Sequence, residues 1–147
     1  MGMTLLELII ACAILLILSA AALPIAKYSV IRQKEAELRH DLREMKDAID
    51  RYKDAADRNQ IRVEIGSEGY PPDLETLVKG VQLGASSDKK IRFLRKIPID
   101  PMTGRAEWGL RAVQDDPDST SWGGKNVFDV YSKSTGTALD GTKYSDW

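Results

Sequence analysis

Residues 8–26 carry no charge at all, and every Lys and Arg of the chain lies at or beyond Lys27. A helix needs roughly 20 mostly apolar residues to cross a bilayer, so this run is long enough. Past it the pattern changes. Leu38, Leu42, Met45, Ile49, Tyr52 and Ala56 recur at spacings of 4, 3, 4, 3 and 4, the repeat of one helical face. Arg39, Arg43, Lys46, Asp47, Asp50 and Arg51 fall on the other faces. Arg43 with Asp47, and Lys46 with Asp50, are opposite charges four apart, suited to pairing along the helix. Together the two patterns predict one helix over residues 4 to about 58, ~80 Å long at 1.5 Å per residue. Pro24 removes one backbone donor and predicts a kink or an end. The seam suits either a coiled-coil dimer or docking on a globular head; the residues that follow need a core, which favours the head.

Gly66, Gly69, Pro71 and Pro72 punctuate the chain after that helix. Asp73 is placed to cap a short helix in which Leu74, Leu77, Val78 and Val81 recur at i, i+3, i+4 and i+7, with Gly80 near its end. Residues 84–90 (GASSDKK) read as a loop, and Ile91, Phe93, Leu94 and Ile97 lead into Pro98. Asp100-Pro101, with Gly104 three residues beyond the proline, predicts a turn whose second position proline presets. Residues 107–113 and 126–132 read as strands, the second alternating through Val127, Phe128, Asp129, Val130 and Tyr131. The Asp-, Ser- and Gly-rich stretch 114–125 between them reads as a loop. The expected fold class is therefore α+β: a long N-terminal helix, apolar then amphipathic, packed on a small antiparallel β-sheet head.

Composition alters this picture in three ways. The 147 residues are 43% hydrophobic and 29% charged, an ordinary globular balance, so the asymmetry lies in arrangement and not in amount. A net charge of −1 gives no global attraction to nucleic acid. One cysteine excludes an intrachain disulfide, and one histidine leaves a Ser-His-Asp triad or a His-based metal cluster little to work with. Cys12 reads as a small membrane residue, His40 as solvated on the helix surface, and Trp108, Trp122 and Trp147 as core or interface anchors.

Three readings fit the apolar N-terminus. A secretory signal peptide would use Ser19-Ala20-Ala21-Ala22 as its cleavage region, but the chain lacks an opening Lys or Arg and carries Glu7 at the mouth of the apolar run. A plain membrane anchor also sits awkwardly with Glu7, because a carboxylate near hydrocarbon is costly and usually marks function. The third reading uses all the odd features. Gly2-Met3-Thr4-Leu5-Leu6-Glu7 resembles the processing site of type IV pilins and type II secretion pseudopilins, which are cut after a Gly and carry Glu as the fifth mature residue. Counted from Met3, Glu7 is fifth and Pro24 twenty-second, where many members also have proline. Met3 stands where Phe is usual. The family's leader is basic, whereas here only Met1 and Gly2 precede the cut, and the nearest cations are Lys27, Arg32 and Lys34; the positive-inside rule applied to these alone favours the reverse orientation.

That resemblance implies a layout: residues 1–2 as residual leader, 3–26 as membrane and filament-core helix, 27–58 as its amphipathic continuation, and 59–147 as head. It also implies roles. Cleavage and methylation fall at Gly2 and Met3. Glu7 pairs with the new ammonium of a neighbouring subunit, so that the buried carboxylate is not left orphaned, and Pro24 belongs to the assembly helix. Pro98-Ile99-Asp100-Pro101-Met102-Thr103-Gly104 resembles the Pro-x-Asp-Pro-Trp-Gly segment of major pseudopilins, with Met102 for Trp and Thr103 inserted. Related major pseudopilins bind calcium near a strand similar to Phe128-Asp129-Val130-Tyr131-Ser132. The resemblance thus implies calcium at Asp129, with Asp115, Asp116 and Asp118 upstream as further oxygen donors and Asp140 as another; a solvated acidic turn fits these residues equally. With no cysteine in the head, calcium would be one way to hold its C-terminal segment.

The expected function is a structural subunit of a helical filament and not an enzyme, most closely the major pseudopilin of a type II-like secretion system. Implied partners are other copies of itself, the prepilin peptidase, an inner-membrane assembly platform, minor pseudopilins and the membrane before assembly, with no nucleic acid. The implied location is the inner membrane, single-pass with the head in the periplasm, and then a periplasmic or surface filament. A type IV pilus subunit, major or minor, is the nearest alternative. A membrane-tethered periplasmic enzyme or binding protein is more remote, since no nucleophile motif, phosphate loop or metal-ligand histidine supports it.

Overall fold

A computed structural model of the chain describes residues 2–85 and 87–147. It has one long helix and a small antiparallel β region, an α+β arrangement. Helix α1 (Leu5–Asp57) is continuous, but by its contacts the chain divides into two units, Met1–Lys34 and Glu35–Trp147.

In the first unit α1 is apolar on every side, and every residue from 2 to 30 is exposed. Pro24 lies inside the helix and does not end it. Proline costs one backbone bond and a clash with the preceding turn, and the helix-forming Leu and Ala residues on either side carry the helix past it.

In the second unit the predicted seam is the core. Leu38, Leu42, Met45, Ile49, Tyr52 and Ala56 are all buried, and Leu74, Leu77, Phe93, Leu94, Trp108, Val127 and Val130 close over them. Each large side chain so buried contributes about 1.5–3 kcal/mol relative to exposure. The edge of the Phe93 ring meets Tyr52 at 5.4 Å. The expected i, i+4 pairs Arg43–Asp47 and Lys46–Asp50 do not form among the described residues. Arg43 instead donates to the Arg39 carbonyl, and Lys46 reaches Asp129 at 3.1 Å. The pairs that do form along α1 lie nearer its end, Lys53–Asp57 and Asp54–Arg58.

Helix α2 (Leu74–Lys79) is capped as predicted, Asp73 accepting from the Thr76 N–H at 2.7 Å. It stops one turn before the apolar spacing does. Gly80 has φ +82°, and a Cβ there would meet the Ile91 carbonyl at 2.7 Å. Val81 therefore does not join the helix face. It opens β1 (Val81–Gln82), which pairs antiparallel with β2 (Lys90–Ile91). Two-residue strands carry no alternation, so the pattern offered no sign of them.

The second sheet pairs β3 (Trp108–Arg111) with β4 (Asp129–Ser132), antiparallel, Gly109 opposite Tyr131. A Cβ at Gly109 would overlap the Tyr131 ring. Both strands are shorter than the expected 107–113 and 126–132. Other partners take over where the ladder would continue: the Asp115 side chain accepts from the Ala112 N–H, the Asn126 side chain accepts from the Val113 N–H, and the Val127 N–H goes to the Pro71 backbone carbonyl. The Asp100 turn forms as predicted, with the Gly104 N–H on the Asp100 carbonyl. Its carboxylate, fully buried, accepts from the Met102 N–H and the Ser132 hydroxyl.

Candidate functional site

At the start of α1, Thr4 acts as the cap. Its hydroxyl accepts from the Glu7 N–H at 3.2 Å, and its carbonyl accepts from the Leu8 N–H at 3.1 Å. Thr4 and Glu7 have the spacing of a capping box, in which the Glu carboxylate would reach back to the Thr N–H. Only the Thr half forms here. The Glu7 carboxylate is exposed and takes no hydrogen bond or ion pair among the described residues. Gly2 and Met3 precede the helix outside any regular element, and both are exposed. Pro24 and Cys12 are exposed on the same apolar helix. By length and composition α1 suffices to cross a membrane, with a mean hydropathy of 2.8 over its most apolar 18 residues. A membrane anchor and a signal sequence both meet that description. Met1 of the expected leader lies outside the described residues, as does Ser86 of the 84–90 loop.

The aspartates implicated in calcium binding are engaged separately. Asp129 sits between two cations, Lys46 at 3.1 Å and Arg111 at 3.4 Å. Asp115 accepts from the Ala112 and Gly123 N–H groups at 2.7 and 3.0 Å, and these bonds hold its carboxyl below the usual range. Asp116 and Asp118 are exposed on the loop. The residues present do not fit a calcium site as they stand. Asp129 is already neutralised and one Asp115 oxygen is taken by two N–H groups, while calcium takes six to eight oxygens.

The C-terminal segment is held by the polar face of α1. Glu35 accepts from the Leu139 N–H at 2.8 Å and from the Tyr144 hydroxyl at 3.0 Å. Burial, and then the Glu35 carboxylate, push the Tyr144 hydroxyl up in pKa. Arg39 stacks over the Trp147 ring at 4.0 Å and pairs with Asp140 at 3.4 Å. Asp140 is held below the usual range first by the Thr142 hydroxyl and N–H, with Arg39 adding to it. Lys46 donates to the Trp147 carbonyl at 3.1 Å. Trp108 is a core residue, its indole donating to the Pro98 carbonyl at 2.9 Å, whereas Trp122 is part-exposed and donates to the Asn126 carbonyl.

Compared with known protein families, curated proteins and solved structures, the chain matches none. The site therefore rests on its own residues. Sequence reasoning missed the role of Glu35, Arg39 and Lys46, whose partners lie about a hundred residues away. It also missed Asp41, which is buried; its position three after Leu38 and four before Met45 was the available signal.

Proposed function

We propose that this chain is a filament subunit that polymerises through the apolar half of α1, most closely the major pseudopilin of a type II-like secretion system. The observation that carries the reading is Glu7, a carboxylate without a partner among the described residues, at the head of the apolar, exposed half of α1. A charge in that position needs an opposite charge once the helix leaves water. The ammonium created by cleavage between Gly2 and Met3 supplies one, on a neighbouring copy. Gly2 and Met3 are open to a peptidase, and methylation would fall on the Met3 nitrogen. In this reading the helix waits in the inner membrane with the second unit in the periplasm. It then exchanges lipid for neighbouring helices, a transfer in which packing and the Glu7 pair decide assembly.

The pilin-like fold, the assembly platform and the minor pseudopilins belong to the same proposal. Calcium enters it only if Asp129 is released from Lys46 and Arg111 and the loop brings Asp115 to it. N-terminal sequencing of membrane-extracted protein tests the processing step, and the expected sequence begins at Met3. A start at Leu23, after the small-residue stretch, would instead support a signal peptide and remove the filament reading.

A further inference from the structure

The chain leaves α1 through Asn59 and Gln60, and residues 61–65 then read Ile-Arg-Val-Glu-Ile, apolar and charged in strict alternation. That is the period of a strand with one apolar face. The stretch begins as one. Ile61 bridges Leu83 antiparallel, on the side of β1 away from β2, and the Gly84 N–H donates to the Gln60 carbonyl at 2.9 Å. Beyond Ile61 the side chains are open: residues 62–65 are exposed, and Ile65 fully so. A turn ends the stretch, with the Ser67 N–H on the Glu64 carbonyl and Gly66 at φ +86°.

In an antiparallel ladder, alternate residues turn their backbone groups to opposite sides. Gln60 faces β1, so Ile61 and Val63 face away from it. Among the described residues no backbone hydrogen bond takes the N–H or C=O of either. The Arg62 and Glu64 side chains enter none of the ion pairs formed among the described residues. An open edge with exposed apolar side chains is a template for another strand. The order of the residues says which strand. Read backwards, Ile-Arg-Val-Glu-Ile keeps its apolar positions and exchanges its charges. Laid antiparallel on itself about Val63, the stretch sets Val63 opposite Val63 of a second copy, Ile61 opposite Ile65 twice, and Arg62 opposite Glu64 twice. Opposite charges facing each other across strands stabilise a pair and like charges weaken it. Parallel pairing in register would set Arg on Arg and Glu on Glu.

We propose that residues 61–65 are an edge strand that joins two copies of this chain, antiparallel and centred on Val63. Main-chain hydrogen bonds from Ile61 and Val63 hold the pair, Val63 and Ile65 are covered by it, and two Arg62–Glu64 pairs fix its direction and register. The pairing is independent of the filament reading, since the stretch lies wholly within the second unit. Disulfide trapping of the full chain in detergent tests it, in a Cys12→Ser background that removes the native thiol. Residues directly opposite across antiparallel strands have Cα atoms about 4.5–5.5 Å apart, within disulfide reach, while residues two places from the centre are too far from their own copies. On mild oxidation Val63→Cys should therefore give a disulfide dimer, and Ile65→Cys, although more exposed, about tenfold less. In the Val63→Cys chain, Arg62→Glu and Glu64→Arg should each cut the dimer about fivefold, because each sets like charges opposite one another. Mixing those two variants should restore it, because each supplies the charge that the other lacks. Adding Glu7→Ala should change nothing, which separates this pairing from filament assembly. All the substituted head positions are exposed, so every variant should melt with the parent. An absent Val63→Cys dimer, an Ile65→Cys dimer formed as readily, or a mixture that cross-links no better than its two components would overturn the pairing.

Discussion

The two units treat the same residue types in opposite ways. Leu15, Leu16 and Leu18 in the first are 62%, 71% and 62% exposed, while Leu38, Met45 and Ile49 in the second are fully buried on the same continuous helix. Polar groups divide likewise. Glu7 has no partner among the described residues, whereas Glu35, Arg39 and Lys46 are each engaged with the C-terminal segment. In the second unit the chain satisfies itself. In the proposed reading, what covers the apolar surface of the first and neutralises Glu7 comes from outside, as lipid or as other copies. A hydrophobic run alone would suit lipid. In the proposed reading the carboxylate is what favours copies, because lipid tails offer it nothing.

The largest effect that would break this contrast lies in the core. Met45→Ala should cost about 2–5 kcal/mol, as large-to-small changes at sealed positions do, and thermal melting of the second unit should report it. Leu15→Ala should leave that melting transition unmoved. Equal losses from both would mean that the first unit is part of the same core.

Much of this contrast was legible beforehand. The seam from Leu38 to Ala56 followed from spacing alone, because a helix buries one face whatever covers it. The Asp73 cap and the Asp100 turn followed from local chemistry, while Val81, expected on the helix face, lies past the Gly80 stop. What escaped was either long-range or short. Lys46 was expected to pair with Asp50 nearby, but Asp129 meets it through the fold. The strands β1 and β2 are too brief to show a period, and the ends of β3 and β4 are cut off by the Asp115 and Asn126 side chains. At the candidate site Gly2, Met3 and Glu7 were readable as a motif. The burial of Asp41 was not, since it depends on the segment before Asp100 folding over α1.

A smaller effect sharpens the comparison within the second unit, where burial and neighbouring acids act against the Asp41 charge. Its folded-state pKa is raised above the ordinary 3.8, so the folded chain loses stability as pH rises through the window between the two values. Glu37, Glu44 and Asp100 repel the charge, His40 opposes them, and Arg95 and Lys96 share the recess. Asp41→Asn should therefore melt higher than the parent at neutral pH, with the gain shrinking as pH falls toward the ordinary carboxylate value. A gain that persists unchanged in acid would show that packing, not charge, is responsible.

The smallest expected effect is that of calcium. With Asp129 between Lys46 and Arg111, and Asp115 on two backbone N–H groups, millimolar calcium and chelator should give melting points that coincide. A rise of several degrees, abolished by Asp129→Ala, would mean that Asp115, Asp116, Asp118 and Asp129 regroup around an ion and tie down the segment already held by Glu35 and Arg39.

The most direct test of the central claim is Glu7→Ala. The apolar run of residues 8–26 is untouched, so the variant should still enter the membrane, and its second unit should melt as the parent does. Electron microscopy of sheared cells should then show filaments for the parent and none for the variant. Filaments in normal yield from Glu7→Ala would contradict the account, leaving α1 as an anchor whose single carboxylate has no partner to find.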